Sequence, residues 1–415
     1  MATTSADRIL SLDVIRGIAV MGIFSVNIVG MAMIENAYFY PPDYGFDSAA
    51  DRVMWAINFI LVDGKFRSLF SILFGASTIL VIERGIAAGK EDWQVHFPRM
   101  AALLAFGLIH FYLLWWGDIL TNYALVGMVA FFFWRMRPEQ LLTSAIIALT
   151  LFYIPGMASG SQNLARYEAT VPPGASPAQR AEALAALERD LRSTPEEIAQ
   201  DRARHASPAV HFAATVAEEQ TRPFRTVLVY GLETLGMMLL GMAAYKTGFL
   251  TGSWPRRRYA LVGALCTGAS LAYFGTGAVR VLQSNFDPLT FFAWDRFYAG
   301  PLHPVAAIGY AALIILAFPH RNAVAVRLAA VGRAAFTNYL GATIIASLLF
   351  FESGFGLYGD LSRGEVWLFV PGVWLIMLLW SKPWLDRFRY GPFEWAWRSL
   401  SRWRWEPMRK AAPIP

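Results

Sequence analysis

The chain has 415 residues, of which 56% are hydrophobic and only 16% are charged. A soluble domain carries charge on about a quarter of its residues, so this composition excludes an ordinary soluble protein and points to one that faces lipid. The lone cysteine, Cys266, excludes an intrachain disulfide and a cysteine metal site, and the net charge of +6 fits an excess of Lys and Arg on the cytoplasmic side of a membrane better than a nucleic-acid surface.

Residues 1–7 carry no positive charge, and the apolar run 15–34 has no strong small-x-small cleavage site. It reads as a retained helix rather than a signal peptide. A spanning helix needs about 20 mostly apolar residues. Such stretches occur at 11–34, 66–83, 99–116, 119–134 and 139–158, and again at 226–246, 257–277, 298–318, 333–351 and 365–381. The apolar stretch 51–62 is too short to span and is expected to lie on the membrane surface. The sequence thus predicts an all-α polytopic bundle of about ten spanning helices.

Alternate short loops carry the positive charge: Arg84, Lys90 and Arg99; Arg135 and Arg137; Lys246 and Arg256 to Arg258; Arg321, Arg327 and Arg333; Lys382, Arg387 and Arg389. The positive-inside rule then puts both termini in the cytoplasm. Residues 1–159 hold helices one to five and residues 223–383 hold helices six to ten. Between them, 160–222 is expected to form an outer cap of two or three short helices. Its start signals are Ser176-Pro177 with Gln179, and Thr194-Pro195 with Glu196 and Glu197. The segment 384–415 mixes tryptophans (Trp395, Trp397, Trp403) with arginines, which suits contact with anionic membrane lipid. No internal repeat is evident.

Ionisable groups at membrane depth are costly, so they mark function or paired structure. On the inner side, Asp13 and Arg16 are spaced to pair on one helical face. With Asn27 deeper in the same helix, and Arg333 and Asn338 at the start of the ninth, they read either as a pocket for an anionic group or as a snorkelling arginine with a structural salt bridge. On the outer side, Asp63 and Arg67 are four residues apart and spaced to pair, with Lys65 between them. His110 and Asp118 follow, then Asp295, His303 and Glu352. A histidine in a spanning helix near a carboxylate suits a general base, a proton relay or a buried structural group. Glu233 and Lys246 are too far apart to pair. There is no phosphate loop and no His-Glu-x-x-His, and no metal is expected.

Four stretches resemble the YeiB-like family of bacterial inner-membrane proteins, which carries a domain of unknown function: LDVIRGIAVMGIFSVN (12–27), GKFRSLFSILFGAS (64–77), IHFYLLWWGDILTNYALVG (109–127) and GRAAFTNYLG (332–341). The closing GPFEWAWRSL (391–400) is similar to the family's C-terminal signature. The resemblance implies a bacterial inner-membrane location and gives no activity. The opening Asp-x-x-Arg-Gly element is similar to one in membrane acyltransferases of the heparan-alpha-glucosaminide N-acetyltransferase type, which implies a place for Asp13, Arg16 and Gly17 near a donor path. The histidine of those enzymes lies in the loop after this helix, and here that loop, 35–52, has none. Three functions follow as expectations. One is an acyltransferase carrying an acyl group from acyl-coenzyme A to an outer-face sugar or lipid, with Arg16 and Arg333 on donor phosphates, Asn27, Arg67 and Asn338 as further binding residues, and His110 with Asp118 taking the acceptor's proton. The second is a proton-coupled transporter. The third is a non-catalytic partner in an envelope complex. The sequence leaves the oligomeric state open.

Overall fold

The computed structural model describes residues 5–171 and 173–410. In chain order the first half holds α1 (Ser5–Ala32), α2 (Glu35–Phe39), α3 (Ala49–Leu61), α4 (Lys65–Ala87), α5 (Asp92–Leu113), α6 (Leu120–Ala130) and α7 (Pro138–Thr170). Then come α8 (Pro177–Leu191), α9 (Pro195–Arg204) and α10 (Pro208–Glu218). The second half holds α11 (Arg222–Lys246), α12 (Arg256–Gln283), α13 (Pro288–Phe292), α14 (His303–Ala317) and α15 (Ala323–Arg333). It closes with α16 (Ala335–Phe350), α17 (Arg363–Trp367), α18 (Phe369–Arg387) and α19 (Pro392–Ser401). The protein is an all-α polytopic bundle. Eight stretches of the described residues are long and apolar enough to cross a membrane, and two shorter apolar helices, Leu120–Phe133 and Ala335–Phe350, bring the total to the ten expected segments.

Glycines set the closest helix contacts. A Cβ on Gly332 of α15 would collide with the Asp13 carbonyl of α1, and one on Gly17 would collide with the Leu328 carbonyl. Gly75 of α4 and Gly241 of α11 meet the Met238 and Ile72 carbonyls in the same reciprocal way. Such small-residue seams let backbones approach inside a bilayer, where lipid tails compete with every apolar contact. Gly17, Gly75 and Gly332, from the first, second and fourth motifs, thus serve packing.

Stretch 51–62 is a helix to Leu61, with one face packed against the bundle and the other exposed. Ser48 and Asp51 form a capping box that starts α3, and its Trp55 and Phe59 are buried with Phe274 of α12 and Phe286. Helix α7 runs unbroken to Thr170, past the expected start of the insert at 160, while its apolar span ends at Gln162. The ninth span is preceded by a separate helix, α15, and breaks at Ala334 (φ −105°, ψ 28°). The break exposes the first amides of α16, which the tail caps: Phe336 N and Thr337 N donate to Glu394 Oε1 at 2.7 and 3.1 Å, and Thr337 Oγ1 donates to Oε2. An acceptor carboxylate at a helix N-terminus is favourable, even though burial pushes the Glu394 carboxyl up. One side chain thereby couples two of the sequence motifs.

The insert folds as three helices, α8 to α10, with capping boxes at Ser176 and Thr194 as the sequence predicts. It is fastened to one end of the bundle. Asp201 Oδ2 accepts from Glu35 N (2.7 Å) and Tyr358 OH (2.8 Å), Ser193 donates to Asp43, and Arg202 meets Asp360 and the Gly359 carbonyl. His205 stacks on Tyr358 with ring centroids 3.6 Å apart, and His211 lies 5.6 Å from His205. Burial lowers both histidines, His211 to about 4, against the raising influence of Asp201 on His205 and of Glu219 on His211, and with Arg204 lowering each. A histidine held below its ordinary pKa of about 6.5 contributes stability above that pH, and the contribution is lost as pH falls toward 4. Hydrogen exchange across 195–218 is therefore expected to quicken between pH 6.5 and 4 before exchange in the spanning helices does. Equal exchange across that window would refute this reading of the cap.

Candidate functional site

At the insert-bearing end the helices leave a cavity of about 410 Å³. Three of the sequence motifs build its walls. The first supplies Asn27, the second Gly64, Phe66 and Arg67, with Asp63 just before it, and the third the run from Trp115 to Ile119 together with Asn122. Tyr38, Phe39, Asn58, Arg222, Asp295 and Arg363 close the remainder. Asn27 therefore belongs to this site and not to a pocket with Arg16, as the sequence suggested.

The second motif is shaped by its turn. Gly64 has φ +69°, a left-handed conformation that suits glycine, and the His303 ring occupies the space a side chain there would need. Lys65, fully buried, turns away from the cavity. Its Nζ donates to the Phe59 and Asp63 carbonyls at 2.7 and 3.1 Å and lies 3.3 Å from the Phe274 ring centroid. Arg67 does not pair with Asp63. It makes a two-pronged bond with Glu233 of α11, at 2.6 and 3.1 Å, and Tyr153 OH donates to the same carboxylate at 2.8 Å. A carboxylate buried in the bundle attracts the nearest guanidinium more strongly than a half-buried one a helical turn away. Arg222, also on the wall, is paired with Glu35 and Glu219 and lies 4.9 Å over Trp116.

His110 and Asp118 are together, at 2.9 Å between Nδ1 and Oδ1. A carboxylate only accepts, so Nδ1 carries the proton of this bond. Nε2 lies 3.0 Å from Thr343 Oγ1 of α16. Asp118 Oδ2 accepts from Thr121 N, which caps the start of α6. Asp118 lines the cavity and His110 does not, although both side chains are 1% exposed.

Four polar atoms of wall residues are buried without a hydrogen-bond partner: Asn58 Oδ1, Trp116 Nε1, Asn122 Oδ1 and Arg363 Nε. Buried polar groups are nearly always paired, and an unpaired one costs about 1–3 kcal/mol. Each atom is itself shielded, but all four belong to residues that line the cavity, where a polar ligand completes the bonding once the wall opens to it. Three carboxylates on the wall (Asp63, Asp118, Asp295) are matched by three arginines (Arg67, Arg222, Arg363). The site thus favours a neutral ligand over an anion.

The other predicted residues lie at the opposite end. Arg16 pairs with Asp13 at 2.9 Å, as expected, and also donates to Ser77 Oγ at 2.8 Å. Arg333 is exposed and close enough to Asp13 for their charges to interact. Asn338 is saturated by the Val331 carbonyl, Ser381 Oγ and Trp380 Nε1, so it does not join Arg16 in a pocket. Sequence reasoning missed Glu233, Arg222, Arg363, Asn58, Asn122, Trp116 and Thr343. Asn122 and Trp116 stand inside a quoted motif, which was a usable signal; the rest are joined to the site only by the fold. Among the described residues no group of three or more His, Cys, Asp or Glu side chains is placed to hold a metal.

Residues 244–404 match the model of a protein of unknown function, DUF418. The chain is 30% identical to the uncharacterized protein YxaH of Bacillus subtilis (strain 168), covering 99% of this chain and 98% of that one. It is also 30% identical to the uncharacterized protein YeiB of Escherichia coli (strain K12), over 95% and 96% of the two chains. An uncharacterized 39.9 kDa protein encoded in the amylase 3' region of Bacillus acidopullulyticus is 24% identical over 95% and 94%. No solved structure matches. With the helical bundle and the near full-length match to YxaH and YeiB, the chain belongs to the YeiB-like, DUF418 family of polytopic membrane proteins.

Proposed function

We propose that this protein is a membrane acyltransferase whose acceptor, an uncharged sugar or lipid headgroup bearing a hydroxyl, enters the insert-side cavity. The observation that carries the reading is the set of four partnerless polar atoms around an aromatic-walled cavity with Asp118 on its wall. In this reading Asp118 accepts the proton of the attacking hydroxyl, and His110 holds the carboxylate from behind through Nδ1. That reverses the order of roles read from sequence, because the imidazole is not on the wall. Arg333, exposed beside the Asp13–Arg16 pair, is left to meet the phosphates of an acyl-coenzyme A donor, whereas the charge of Arg16 is already answered by Asp13.

The alternation of charged loops supports a cytoplasmic donor end and an outer acceptor end in a bacterial inner membrane. In a Cys266→Ala background, Glu182→Cys is then expected to react with an impermeant thiol reagent in intact cells, and Lys90→Cys only after lysis. The reverse pattern would invert the proposed direction. For the reaction, purified protein in lipid with radiolabelled acyl-coenzyme A and envelope extract is expected to pass label to a sugar or lipid. Asp118→Asn should slow this by a hundredfold or more, the scale of lost general-base catalysis. Absence of transfer by the wild-type protein would remove the enzyme reading.

A second reading rests on its own observation. Asp118, His110 and Thr343 form a hydrogen-bonded chain from the cavity wall into the bundle, the form a proton relay takes in a coupled transporter. Uptake of solute by vesicles that contain the protein and no acyl donor would favour it.

A further inference from the structure

At the end opposite the cavity, arginines from two distant parts of the chain converge. Arg99 comes from α5; Arg398 and Arg402 come from α19 and its C-cap. The tail is held in place by Trp397, whose Nε1 donates to the Arg99 carbonyl at 2.8 Å and whose ring lies 4.3 Å from the Arg99 guanidinium. The Arg398 guanidinium lies 4.4 Å from the Tyr390 ring centroid.

Their charge is not balanced within the protein. Glu406 bonds Arg402 at 2.9 Å and Arg404 at 3.1 Å. The other carboxylate at hand, Glu394, has both oxygens engaged by the start of α16. Among the described residues neither Arg99 nor Arg398 has a carboxylate within ion-pair distance, and Arg398 Nε is buried with no hydrogen-bond partner. Burial first, and the Arg402 charge next, pull the Arg398 pKa down, opposed by Tyr390, Glu394 and Glu406. Like charges gathered by a fold, with a guanidinium edge unfilled, call for an anion from outside.

We propose that Arg99, Arg398 and Arg402 form a binding site for a phosphate ester. The planar guanidinium fork matches phosphate in two-pronged bonds, and its weak hydration suits a half-buried site. Trp403 and Trp405 stand 85% and 81% exposed on the same segment, as side chains at a headgroup layer do. The phosphate therefore belongs to an anionic lipid headgroup or to a soluble phosphate ester reaching the membrane surface. The site does not depend on the acyl-transfer reading.

The test is binding by the purified full chain in neutral detergent, at fixed ionic strength, of three probes: short-chain phosphatidylglycerol, coenzyme A and inorganic phosphate. At least one is expected to bind saturably, with Arg99→Gln and Arg398→Gln each weakening it tenfold or more, and Arg389→Gln, an exposed tail residue outside the cluster, leaving it unchanged. Binding that falls in both glutamine variants assigns a headgroup where the lipid alone shows it and a soluble ester where coenzyme A or phosphate does, whereas coenzyme A bound at Arg333 would be unaffected by them. Should the glutamine variants fail to fold, the wild-type protein answers instead, because a bound probe should protect Arg99 and Arg398 from phenylglyoxal. No saturable binding of any probe, binding that survives both substitutions, or modification of Arg99 and Arg398 unaffected by the probes would each overturn the proposal.

Discussion

Replacing Arg67 by methionine is expected to lower stability in detergent micelles by about 3–5 kcal/mol, the cost of breaking a buried ion pair on one side only. The loss comes from Glu233, which is 2% exposed and would be left without its charged partner. Tyr153 still donates to Glu233, but one neutral hydroxyl does not replace a two-pronged charged partner. The double variant Arg67→Met with Glu233→Leu should recover most of the loss, since a well-packed apolar pair is often as stable as the ions it replaces. Arg67→Lys should fall between, keeping charge and losing the fork. A loss near the about 0–1 kcal/mol of exposed pairs would show that water entering the cavity solvates Glu233, and that the pair is not structural.

A second large effect is expected at Gly332. Leucine there should cost about 3 kcal/mol or more, the upper range for overpacking, because the Asp13 carbonyl already occupies the space of a Cβ. Helices α1 and α15 cannot separate locally, since Gly17 makes the reciprocal approach to Leu328. Even alanine should lower the melting temperature. Gly268→Leu is the control: nothing lies within 4 Å of a Cβ there, and the substitution should be close to neutral. Equal melting for the two leucine variants would mean that the α1–α15 seam is not as close as described.

These two positions mark the limits of what the sequence discloses. The spans were legible because hydropathy reports length directly. The caps at Ser176 and Thr194 were legible because a capping box is a four-residue matter, and Asp13 with Arg16 because the pair lies within one helical turn. The partner of Arg67 was not legible. Asp63 stands at a favourable spacing, but Glu233, 166 residues away, is the buried one, and only the packing of α4 on α11 brings it near. Asn27 was assigned to the wrong end for a similar reason: depth in a helix does not reveal which cavity a residue lines. Asn338 looked like a binding residue in a motif and proves to be fastened on all sides by its own bundle. Gly17, which the acyltransferase resemblance placed near a donor path, is a contact point between backbones, since a Cβ there would collide with the Leu328 carbonyl.

The central claim is that the insert-side cavity holds a hydroxyl-bearing ligand. The most direct measurement is a high-resolution density map of the protein extracted with its native lipid. Ring- or headgroup-shaped density is expected in the cavity, within hydrogen-bond distance of Asn58 Oδ1, Trp116 Nε1, Asn122 Oδ1 and Asp118. A cavity filled only by discrete waters that satisfy those four groups, after incubation with envelope sugars and lipids, would contradict it.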